Sequence, residues 1–292
     1  MTDAMTEING WYAARFGEFE RTLNGESTTA LHAVRRDALA RFSAMGFPTT
    51  SEEEWRFTNV APIARTRFIP AEAYAPGTVD RAFVERLSIA GAARLVFVNG
   101  FHAPELSSVP ALPPGVRIGS LAQALRDDPA FVGRYLGKQA TYANSAFTAL
   151  GTAFLRDGAL VCIDDNAALE IPVQLLFIGS GVSGPVVSSP RILVVAGNNA
   201  RAAIVETYAG TGSEVYWTNA VTEISLGRDT AIEYDKVQAE TPRAYHVGST
   251  HIVLGQRSVF TSNAVAMGGS LVRNNVSAVF GGENAECTLN GL

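Results

Sequence analysis

Residues 255–292 read GQRSVFTSNAVAM, GGSLVRNNVSAVF and GGENAECTLNGL. Gly255, Gly268 and Gly281 stand 13 residues apart. The three segments superimpose without gaps, with Val259, Val272 and Ala285 in one column and Ala266, Val279 and Leu292 in another. A glycine-punctuated β-type repeat of fixed period is the signature of a solenoid, and two such units would make a coil of about 26 residues. A β-sandwich is the competing architecture. The last unit ends in mid-pattern at Leu292. A bare final coil leaves apolar columns and strand edges open, so the expectation is an incomplete solenoid with covering structure beyond Leu292.

Upstream of the repeat the texture is the same as far as residue 159. ALVCI (159–163), VQLLFI (173–178), RILVVAG (191–197), RAAIVETYAG (201–210), AVTEISLG (220–227) and TAIEYDKVQ (230–238) are short β-type runs without intervening helices. Ahead of them the chain reads as helix. Leu31, Val34, Ala38, Leu39 and Phe42 recur at helical spacing in 29–45, and Gly46 with Pro48 stops that helix. Ser51 to Glu54 fits a capping box. Short helices are expected at 80–87, 121–126, 129–136 and 142–155, with one strand at 94–98. The predicted organisation is an α-rich domain with a small β element over 1–156, then a β-solenoid over 157–292.

The composition narrows the functional classes. Hydrophobic residues are 47% and charged residues 17% of 292, ordinary for a folded chain, and the formal net charge is −5. The only lysines are Lys138 and Lys236, which argues against a general nucleic-acid binder. The start lacks a secretory leader, and no run approaches the ~18 apolar residues of a membrane span. Two cysteines, Cys162 and Cys287, make no disulfide framework and suit a reducing, cytoplasmic setting.

Individual motifs fail in detail. Gly179 to Gly184 matches G-x-G-x-x-G, but the proline-flanked segment after it is no dinucleotide-binding helix. Gly133-Arg134-Tyr135-Leu136-Gly137-Lys138 has three residues between its glycines where a phosphate loop has four, and Gln139 replaces the magnesium-binding hydroxyl. Cys287 alternates with Ala285 and Leu289 and so points into the solenoid core, and Cys162 reads as buried too. His246 and His251 fall on opposite faces of a strand and cannot chelate one ion. His32 and His102 have no partner evident in the sequence. Glu52-Glu53-Glu54 reads as a helix start, and Arg273-Asn274-Asn275 as a stacked solenoid corner. No catalytic or cofactor-binding residue is assigned, and metal ligands stay open.

Two sets of segments carry a resemblance. The first is Gly46-Phe47-Pro48 followed by Glu53-Glu54-Trp55-Arg56-Phe57-Thr58-Asn59. The second runs from Tyr216-Trp217-Thr218-Asn219 through Glu233-Tyr234-Asp235-Lys236-Val237-Gln238 and Gly268-Gly269 to Arg273-Asn274-Asn275, Gly281-Gly282-Glu283-Asn284-Ala285-Glu286 and Leu289-Asn290-Gly291-Leu292. Together they resemble the SufD-type subunit of the SUF iron–sulfur cluster assembly system, within the SufB/SufD family. The resemblance implies a right-handed parallel β-helix behind helical elements, and a further C-terminal helical domain absent from these residues. It implies a scaffold without catalysis of its own, partnered by a SufB-type subunit and a SufC-type ATPase. The iron–sulfur cluster would then be assembled transiently by the complex and not held by this chain alone. The family's histidine and partner-contact positions have no counterpart here. The alternatives are a SufB-like cluster-building subunit and a solenoid carbohydrate-active enzyme; the latter lacks carboxylates before Glu283 and Glu286 in the repeat.

Overall fold

The computed structural model describes residues 2–23, 29–180 and 184–292, and it resolves the repeat as two facing, mainly parallel sheets making a solenoid of about four turns. The helices are α1 (Thr2–Arg21), α2 (Ala30–Met45), α3 (Ala61–Arg65), α4 (Arg81–Arg86), α5 (Leu121–Asp127), α6 (Pro129–Tyr135) and α7 (Ala146–Ala153). The early strands are β1 (Ile69–Pro70), β2 (Ala93–Val98), β3 (Phe101–His102), β4 (Val116–Ser120), β5 (Gly158–Ile163), β6 (Val173–Ser180) and β7 (Val186–Ser188). The later ones are β8 (Arg191–Ala196), β9 (Arg201–Thr211), β10 (Tyr216–Leu226), β11 (Ala231–Glu240), β12 (Tyr245–Leu254), β13 (Val259–Gly268), β14 (Leu271–Phe280) and β15 (Glu286–Gly291).

One sheet runs β4-β5-β8-β10-β12-β14, with β7 and β1 alongside the start of β10; the other runs β3-β2-β6-β9-β11-β13-β15. The helical half therefore lends strands to the solenoid: β2 pairs in parallel with β6, and β4 closes the first sheet antiparallel to β5. Gly158 stands beside Arg191, Arg191 beside Val221, Trp217 beside Tyr245 and Tyr245 beside Leu271, so the coil shortens from 33 to 30, 28 and 26 residues.

The 13-residue spacing is half a coil, so successive units alternate between sheets. Val259 and Val272 lie on opposite sheets and do not stack, and the residue beside Val259 is Glu286, not Ala285. The slip arises at Gly281-Gly282. The Gly281 amide repeats the bond that Gly255 makes one coil earlier, yet the left-handed corner residue comes one position late, at Asn284. These corners form a column of residues with positive φ: Asn166, Asn199, Asp229, Arg257 and Asn284. Asn199 donates to Asn166 at 3.0 Å, and the Asn198 amide donates to Asp165 at 2.7 Å. The asparagine ladder thus sits here. Arg273-Asn274-Asn275, expected at a corner, lies inside β14.

The α1–α2–α7 layer and the α5–α6 pair cover the outer face of the first sheet, while α4 packs Val84 on the outer face of the second, against Val96, Val98, Leu176 and Ile178. Trp217 on β10 is fully buried among Phe47, Phe68 and Phe147, joining it to the α1–α2–α7 layer. Thr29 caps α2, Asp80 caps α4 and Ser120 caps α5, each accepting from a backbone amide two or three residues on. The helix expected over 142–155 is shorter, beginning at Ala146 behind the Ser145 cap. Two local expectations are corrected. Glu53–Trp55 is a 3-10 turn, and one half of a capping box lies two residues earlier, with Glu52 accepting from the Thr49 amide at 2.8 Å. In α2 the buried face is His32, Arg35, Ala38 and Phe42, while Leu31 and Val34 turn aside from it. Among the described residues, no helix is long and apolar enough to cross a membrane.

Candidate functional site

The space between the two sheets is divided. Near the corner column it is apolar, filled by Ala202, Ile204, Ile224, Ile232, Ile252, Leu254 and Phe260. Along the same inward rows, toward the opposite corner, side chains become polar: Glu206 and Tyr208 on β9, then Lys236, Gln238 and Glu240 on β11. Period-two alternation forces this, because the register that buries Ile204 and Ile232 also buries every second residue after them.

The buried charges are matched. Lys236 Nζ lies 3.3 Å from Glu206 Oε1, and 4.9 Å from the centre of the Tyr208 ring. Tyr234 donates its hydroxyl to Glu206 Oε2, and Thr222 donates to the same oxygen at 3.4 Å. Burial would raise the Glu206 carboxyl, but Lys236, the tyrosine hydroxyls and His246 outweigh it and hold its pKa below the ordinary value. One coil on, His246 Nδ1 and Glu240 Oε2 are 2.7 Å apart, and Gln238 and Thr218 donate to the Glu240 carboxylate at 3.1 and 3.0 Å. Burial raises Glu240 as well; His246 and these donors more than reverse it. The hydroxyls of Tyr208 and Tyr234 are driven well above their ordinary range, first by burial and then by the Glu206 charge.

Gly248 leaves room at the centre of this network. A methyl group there would come within 2.7 Å of Asn274 Oδ1, 2.8 Å of Lys236 Nζ and 3.2 Å of His246 Nε2. His246 is fully buried and its Nε2 has no hydrogen-bond partner. The His246–Glu240 pair therefore has proton-transfer geometry on one ring nitrogen and an unused one on the other.

A second buried ion pair lies on the outer face of the first sheet. Glu223 accepts from the amides of Gly137, Gln139 and Ala140 at 2.9, 3.1 and 3.1 Å. Of the glycine-lysine segment at 133–138 only Gly137 takes part, and the oxyanion held over 137–140 is the chain's own carboxylate. Arg191 Nε is 3.4 Å from the same Glu223.

The remaining sequence candidates separate. His246 and His251 do fall on opposite faces, His246 inside and His251 half-buried outside near Glu223 and Arg191; burial lowers the His251 pKa. Cys287 packs at the margin of the solenoid core. Cys162 points outward from β5 into the α5–α6 cluster, with Arg117 donating at 3.2 Å. Burial raises both thiols. His32 meets Glu20 at 2.9 Å and His102 meets Ser107 at 3.2 Å, partners no sequence spacing could supply. Glu53 and Glu54 are exposed. Of the G-x-G-x-x-G stretch, residues 181–183 lie outside the described residues; β7, not a helix, follows. Among the described residues, no three His, Cys, Asp or Glu converge as a metal cluster.

The sequence reading missed the interior network. Its signal was present in the alternation Ile232-Tyr234-Lys236-Gln238-Glu240, but only the paired strand β9 shows that this row, and not Glu233-Asp235-Val237, faces inward.

Comparison with known proteins accounts for nearly the whole chain. Residues 6–175 match the family model described as the SufBD protein N-terminal region. Residues 177–292 match the SUF system FeS cluster assembly, SufBD core domain. An iron–sulfur cluster assembly SufBD family protein of Synechocystis is 30% identical over 87% of this chain and 57% of its own length. The iron–sulfur cluster assembly protein SufD of Escherichia coli is 22% identical over 85% of this chain and 55% of its own length. The chain thus spans about half the length of these curated relatives.

Proposed function

Because this chain belongs to the SufBD family of the SUF iron–sulfur cluster assembly system, we propose that it is the SufD-type scaffold of a SufB–SufC–SufD complex. In this reading it contributes no catalysis of its own. The cluster is cargo, assembled transiently by the complex, and the site of action is the cytoplasm. The observation that carries the reading is the use made of the buried carboxylates. Glu206 is committed to Lys236 and Tyr234, Glu240 to His246 and Gln238, and Glu223 to three backbone amides. Carboxylates that would do chemistry in an enzyme are committed here to contacts within the fold. A rigid parallel stack suits a subunit that presents fixed positions to partners.

The test is co-purification of the tagged chain with SufB-type and SufC-type subunits, followed by anaerobic reconstitution with iron and sulfide. The reading expects the complex to build a cluster when this subunit is supplied together with its partner-contact region, while this chain alone acquires none. A stable cluster on the isolated chain would instead support the SufB-like alternative.

A further inference from the structure

A cavity of about 570 Å³ opens between α2, the α5–α6 pair and the first sheet, well away from the solenoid interior. Its size is that of a small-molecule site. Leu31 and Val34 of α2, Leu125 of α5, and Leu136 and Leu155 form its wall. Leu31 and Val34 are the apolar positions of α2 that turn away from the buried face of that helix. None of the described lining residues is aromatic and none is acidic, whereas Arg126 and Lys138 are cations exposed at its margin.

Arg191 also lines the cavity and is 2% exposed. Its Nη2 donates to Thr152 at 3.2 Å, but Nη1 has no partner. Its counter-charge is shared, because Glu223, 3.4 Å from Nε, already accepts from three amides. A buried guanidinium with an unused donor is costly to leave unsatisfied. An oxyanion in the cavity would satisfy it. The absence of aromatic rings among the described lining residues leaves no stacking platform there for a nucleobase or flavin, and the leucine wall fits an aliphatic body.

We propose that this cavity binds a small amphiphilic anion, an aliphatic chain with a carboxylate or phosphate head, the head meeting Arg191 and the chain lying along the leucine wall. The proposal does not depend on the assembly role.

The test is calorimetric titration of the full chain with dodecanoate, dodecyl phosphate and dodecanol, each below its micelle concentration. Arg191→Met removes the head contact, and Leu125→Trp fills the cavity without touching the charge. The expected result is saturable one-to-one binding of at least one anion, at least tenfold weaker binding of the alcohol, and loss of binding in L125W with an unchanged far-UV circular dichroism spectrum. R191M should weaken the anion at least tenfold. Should R191M fail to fold, the anion–alcohol comparison and L125W decide the matter. No saturable heat with either anion, as for a cavity holding water alone, overturns the proposal. So does equal binding of alcohol and anion, or undiminished binding by L125W.

Discussion

The guanidinium of Arg273, on β14, lies over the ring of Trp55 at 4.5 Å. Its Nη1 donates to Thr58 at 2.9 Å, and its Nε donates to Asn275 at 2.8 Å. Residues 215 positions apart are thus joined: the Glu-Glu-Trp-Arg-Phe-Thr segment near the start is clasped by the Arg-Asn-Asn segment near the end. A planar cation stacked on an aromatic face while donating at its edge is a geometry lysine cannot reproduce.

Arg273→Ala is therefore expected to destabilise the protein by about 1–2 kcal/mol, combining a cation–π contact with a charge-assisted hydrogen bond. Arg273→Lys should recover less than half of that. Urea unfolding of R273A, Thr58→Val and the double variant measures the coupling, and additive effects would show that the contact contributes nothing.

Removing Lys236 strands the Glu206 carboxylate. Lys236→Met should cost about 3–5 kcal/mol at neutral pH, as for one partner of a buried ion pair. Because the folded state holds Glu206 below its unfolded value, its contribution is complete above the unfolded pKa of about 4.3 and is lost as pH falls through the folded one. The gap between wild type and variant should therefore narrow on acidification. K236M combined with Glu206→Gln should recover much of the loss. Denaturant midpoints between pH 3 and 8 check this, and a pH-independent gap would contradict it.

Glu223→Gln deprives the 137–140 loop of its anionic acceptor. Stability should fall by about 1.5–3 kcal/mol, and the amides of Gly137, Gln139 and Ala140 should exchange hydrogen at least tenfold faster. Exchange measured by NMR reads those amides individually. Unchanged protection would mean that packing alone orders the loop.

The two thiols should react slowly and in order. Burial raises both, but Cys287 is partly accessible and Cys162 is 2% exposed. In native protein at pH 8, iodoacetamide should label Cys287 first, with Cys162 labelled only under denaturing conditions. Peptide mass spectrometry gives the order, and early labelling of Cys162 would refute its outward, covered position.

Element types followed from local physics. Short β-type runs made strands of 159–163, 173–178 and 201–210, and Thr29, Asp80 and Ser120 capped helices where side-chain oxygens could reach free amides. The 13-residue glycine period announced a solenoid because each half-coil needs a turn. Those constraints act over a few residues, so a single sequence carries them. What each face met was decided at longer range. Alternation in 230–240 offers two rows, and nothing local says which is inward; pairing with β9 chose Tyr234, Lys236, Gln238 and Glu240. Gly137, at the end of the phosphate-loop look-alike, met a carboxylate 86 residues away in Glu223, and Arg273 reached back across the chain to Trp55. Burial and counter-charge are properties of the assembled stack, since a carboxylate's partner there is whatever the next coil or the covering helix brings beside it.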